Sequence, residues 1–84
     1  MYDELIDENA FTKLSNQKQT ELITHYCSDF KNAITQAKTL SEADQYAAEH
    51  CRKFELLCTS TMIRTAMRKY VHDIVNERWT AYGH

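Results

Sequence analysis

Between Ser41 and Tyr82 the chain contains neither glycine nor proline, and this uninterrupted stretch constrains the fold more than any other feature. Nothing in it stops a helix, yet its apolar positions change sides partway along. With each residue advanced by about 100°, the step of a 3.6-residue helix, Ala43, Ala47, Cys51, Phe54, Leu57 and Cys58 share one face. Ile63, Ala66, Met67, Tyr70, Val71 and Ile74 centre nearly opposite. A single straight helix would have to bury one face in its first half and the other in its second. A corner at Thr59-Ser60-Thr61 removes the conflict, since two of these residues are β-branched and the third is a favoured helix cap.

The only glycine is Gly83 and there is no proline, so the positive-φ turns that a multi-hairpin sheet requires have no residues to form them. Together with abundant good helix formers, this makes the expected fold class all-α. Eighty-four residues form one domain, 1–84. Ser15 or Asn16 starts a first long helix whose apolar face carries Leu22, Ile23, Tyr26, Cys27, Phe30, Ala33, Ile34 and Ala37. Thr39-Leu40 is then a short link, and Ser41 to Asp44 resembles a capping box for the second helix. The expectation is a small antiparallel bundle of three main helices, at about 16–38, 42–58 and 61–80. Residues 1–14 precede it as an acidic short helix or arm, with Leu5, Ile6, Phe11 and Leu14 available to lie on the bundle.

The net charge of −2 does not advertise a nucleic-acid or membrane partner. The charge is uneven: residues 1–9 hold four acids and no base, whereas residues 52–84 hold six bases against three acids. The acidic start lacks the basic-then-apolar layout of a signal peptide, and no apolar run approaches the roughly 20 residues that span a bilayer. Three cysteines, an odd number, suit a reducing compartment, so a cytoplasmic protein without a membrane partner is expected.

Folding the first two helices as a hairpin sets Cys27 level with Cys51, with His25 and His50 near them. Zinc takes such ligands, but His25 falls on the polar side of its helix, and no closely spaced pair of cysteines or histidines occurs. The cysteines are expected to act as small core residues. Glu21, His25 and Asp29 form an i, i+4, i+8 row that could orient an imidazole, but a solvated helix surface with i,i+4 contacts is its ordinary explanation. No phosphate-binding glycine loop or nucleophile elbow is present. We therefore expect no enzyme, no cofactor and no metal, and nominate no catalytic residue.

Two binding readings remain. The favoured one is a small non-catalytic protein–protein interaction module, with a second copy of the chain as one candidate partner. Its nominated contacts are Tyr70, Val71, Val75, Arg78, Trp79 and Tyr82, because Trp, Tyr and Arg most often anchor interfaces. The alternative is a helix-turn-helix-like nucleic-acid-binding protein whose third helix presents Thr61, Arg64 and Arg68 to bases or phosphates. The negative net charge and the absence of glycine in the turn count against it.

Overall fold

The computed structural model describes residues 3–80, which form six helices and, among those residues, no strand. They are α1 (Asp3–Ile6), α2 (Glu8–Thr12), α3 (Asn16–Tyr26), α4 (Ser28–Gln36), α5 (Leu40–Leu57) and α6 (Thr61–Thr80). The fold is an all-α bundle in which α5 and α6 form the most extensive pair. α4 lies against both, and α1 and α2 close the structure by packing on α3 and α6.

The corner expected at Thr59–Thr61 is present. α5 ends at Leu57, Cys58 leaves the helix in an extended conformation (φ −124°, ψ 122°), and α6 starts at Thr61. Ser60 caps α6, its Oγ accepting from the Ile63 amide at 3.3 Å. This corner differs from the expectation in one respect. Leu57, placed by periodicity on the buried stripe, is 57% exposed, while Cys58 is fully buried. The helix stops at Leu57, and the extended Cys58 that follows keeps its side chain in the core.

The first long helix is divided. α3 and α4 meet at Cys27 (φ −88°, ψ 9°), although the ladder continues across it through Cys27 N to Ile23 O (3.0 Å) and Lys31 N to Cys27 O (2.9 Å). Ser28 Oγ donates to the His25 carbonyl at 2.8 Å, a back-bond that competes with the ladder and bends helices. α4 then stops at Gln36 rather than continuing to Lys38. The second helix begins earlier than expected, at Leu40, because Thr39 rather than Ser41 is its cap: Thr39 Oγ1 accepts from the Glu42 amide at 3.1 Å. Thr39-Leu40-Ser41-Glu42 has the T-x-x-E form of a capping box.

The core runs through all six helices, from Leu5 and Phe11 at the start, through Cys27, Phe30, Ile34 and Phe54, to Ile63, Met67, Val71 and Val75 on α6. Leu5 is fully buried, so the N-terminal segment is a structural member of the bundle. Burying a side chain of this size stabilises by about 1.5–3 kcal/mol. No helix of the described residues is long and apolar enough to cross a membrane.

Candidate functional site: the α5–α6 groove

The residues nominated from sequence do not form one surface. Val71 and Val75 are core residues, buried by the packing of α6 on its neighbours. Tyr70 and Trp79 are half-buried against that core. Arg78 lies over the Trp79 ring with its guanidinium carbon 5.2 Å from the centroid, and its Nη2 donates to the Ala37 carbonyl at 3.1 Å. Arg78 thereby satisfies a carbonyl left open where α4 ends. Tyr82 lies outside the described residues. Most of the broad apolar face of α6 packs within its own bundle.

The basic stripe is also engaged internally. Arg64 is half-buried, with Nε donating to the Cys58 carbonyl and Nη2 to the Glu55 carbonyl, each at 2.7 Å. These are among the last carbonyls of α5, which have no partner within their own helix. Arg68 pairs with the Glu55 carboxylate, its Nε donating to Oε2 at 2.8 Å and its Nη2 to the same oxygen. Of the three nominated nucleic-acid contacts, only Thr61 has an exposed side chain without a hydrogen bond among the described residues.

The Cys27–His50 relationship inferred from hairpin register is close. Cys27 Sγ lies 3.3 Å from His50 Nε2 and 3.4 Å from Met67 Sδ. The imidazole stacks on Phe30 (centroids 4.9 Å apart, 25° between planes) and tilts against Tyr26 at 5.3 Å. Burial pushes the Cys27 thiol up to about 12, with Cys51 adding to the rise and Lys31 opposing it. Burial, helped by Lys53, holds His50 below its usual value. Burial also raises Cys51. Both members of the Cys27–His50 pair are thus held neutral, the reverse of a nucleophilic thiol, which needs a lowered pKa. His25 is exposed on α3, where it lines a shallow surface depression with Glu21 and Thr24. Among the described residues no three His, Cys, Asp or Glu side chains converge on a metal position.

A surface opening lies between α5 and α6. The small side chains at Ala47, Ala48 and Cys51 leave space beside α6 unfilled, and an open groove of about 480 Å³ results. Val71 and Val75 show their edges in its floor, Asp44, Arg52 and Glu55 form the α5 rim, and Arg68 and His72 form the α6 rim. Arg68 and Glu55 neutralise each other, whereas Asp44 and Arg52 make no ion pair among the described residues. Leu56 (82% exposed) continues the α5 rim one turn past Arg52, and Leu57 and Met62 (42%) are exposed at the adjoining corner. The sequence signal for this groove is the exposed i+4 row of α5, which by itself reads as an ordinary solvated helix side.

No family model matches the chain, and no curated protein or solved structure is detectably similar to it. The class defined is therefore that of the fold, a small all-α bundle, with the groove as its candidate site.

Proposed function

We propose that the protein is a small, non-catalytic interaction module that receives a helix of a protein partner in the α5–α6 groove. The observation that supports this reading is the groove itself: an apolar floor of Ala47, Cys51, Val71 and Val75 between two polar rims, the form in which an amphipathic helix is received. The exposed Leu56, Leu57 and Met62 extend the apolar contact at its corner end. Catalysis finds no comparable support, because the buried thiol and imidazole are shifted away from reactive states. Nucleic-acid binding through α6 is disfavoured because Arg64 and Arg68 are already bonded to α5. Three free thiols suit a reducing compartment such as the cytoplasm.

The test is site-specific photocrosslinking in cells, with the photoreactive side chain at Arg52 on the groove rim or at Asn32 on the exposed side of α4. Discrete protein adducts are expected from position 52 and not from position 32. Absence of protein adducts from position 52, or the same adducts from both positions, overturns the reading.

A further inference from the structure

α5 carries an exposed row at four-residue intervals: Leu40, Asp44, Ala48, Arg52 and Leu56. The row is symmetric about Ala48, with leucine at both ends, and antisymmetric in charge, with an acid four residues before the centre and a base four residues after it. Asp44, Ala48 and Arg52 all line the α5–α6 groove. A surface that is its own complement under a two-fold rotation is the requirement for an isologous interface.

We propose that the occupant of the groove face is a second copy of this chain, with the two α5 helices antiparallel and crossing at Ala48. This rests on the groove reading above and names its partner. Rows of i±4 residues lie alongside each other when two helices cross at about −50°. A two-fold axis beside Ala48 then brings Asp44 of each copy to Arg52 of the other, about 6 Å along the helix on either side of the crossing. Alanine at the crossing point permits the closest axial approach in the usual range, about 8 Å. A parallel arrangement in the same register would set Asp44 against Asp44 and Arg52 against Arg52, so the charges select the antiparallel one. Asp44 and Arg52 have no competing ion pair within the described chain.

Sedimentation of the full chain tests this with four proteins: the natural sequence, Asp44→Arg, Arg52→Asp, and both changes together. The natural chain is expected to dimerise at micromolar concentration. Each single reversal sets two pairs of like charges together and is expected to weaken the dimer about tenfold or more. The double reversal exchanges the charges and is expected to restore it to within about threefold. Both side chains are exposed, so helix content by circular dichroism should be the same in all four. In a Cys51→Ser background, Ala48→Cys is expected to give a disulfide-linked dimer with oxidised glutathione, since position 48 of each copy faces its counterpart across the axis. A natural chain that stays monomeric at micromolar concentration overturns the proposal. So does a dimer indifferent to the reversals, a double reversal that stays dissociated, or an Ala48→Cys variant that fails to link. If the natural chain is monomeric while the Arg52 photocrosslinker captures a different protein, self-pairing fails and the groove reading stands.

Discussion

Ser60 Oγ donates to Glu8 Oε1 at 2.8 Å, joining the cap of α6 to the first residue of α2 across 52 positions of sequence. The same oxygen accepts from the Ile63 amide, so one hydroxyl both starts a helix and anchors the N-terminal segment beside it. Cys58, whose thiol contacts the Ile6 carbonyl at 3.8 Å, adds a second tie between the same regions. Ser60→Ala should therefore cost about 1 kcal/mol from the lost cap. For a domain of this size that lowers Tm by about 4–8 °C. A double-mutant cycle with Glu8→Ala should show positive coupling of a few tenths of a kcal/mol, since the pair is exposed; strict additivity would contradict the tie.

Arg64→Met should destabilise by about 1.5–3 kcal/mol, the range for hydrogen bonds made by a charged group. It leaves the carbonyls of Cys58 and Glu55 without their donor at the end of α5. Arg64→Lys should recover only part of this, because one ammonium does not reproduce the two-armed geometry of the guanidinium. Urea denaturation of the three proteins measures it, and equal stability for all would refute the role.

Stability should fall as pH drops below about 6.5, the ordinary value for histidine. His50 is held lower than that in the folded state, so the unfolded chain binds the proton first. The contribution is present above the unfolded value and is lost as pH falls through the folded one. His50→Gln should flatten this acid limb. At the alkaline end, Cys27 rises from 9.0 to about 12, so the unfolded thiol ionises first and stability declines between those two values.

Thiol labelling of the native protein should distinguish the three cysteines. Cys51 lines the groove and is half-buried, whereas Cys27 and Cys58 are fully buried. One equivalent should react readily under mildly alkaline conditions and the other two only on unfolding. Three equivalents reacting together would show that the core opens as a unit on the labelling timescale.

Phe54→Ala and Leu56→Ala, two positions apart on α5, should differ sharply. Phe54 is buried and packs edge-on against Tyr26, and its truncation should cost about 3–5 kcal/mol. Leu56 is exposed, and its truncation should stay within about 0.5 kcal/mol. Thermal melts of the two variants check the contrast.

The corner and α6 were legible in the sequence because the apolar period is strong there and reverses across three residues. The division between α3 and α4 at Cys27 was not, because the apolar face runs unbroken through it. The start of α5 was displaced by two overlapping cap signals, Thr39 with Glu42 and Ser41 with Asp44, of which the earlier is used. Angular projection placed Arg64 opposite the core, but its long flexible side chain reaches along the helix to the carbonyls of α5. For Val71 and Val75, a broad apolar face suits either a core or an interface, and periodicity carries no term to choose between them. The groove depends on the gap left by three small side chains, a property of packing that no single-helix pattern contains.

Closing the end of α5 with Arg64 has a consequence for how this corner can vary. A helix end of this kind is often finished by a glycine with positive φ, yet no described residue in this chain has positive φ. The requirement has moved from the backbone of the turn to a side chain six residues beyond Cys58. Thr59, which is exposed and in ordinary backbone geometry, is therefore open to almost any replacement. The specificity of the turn is written in the helix that follows it.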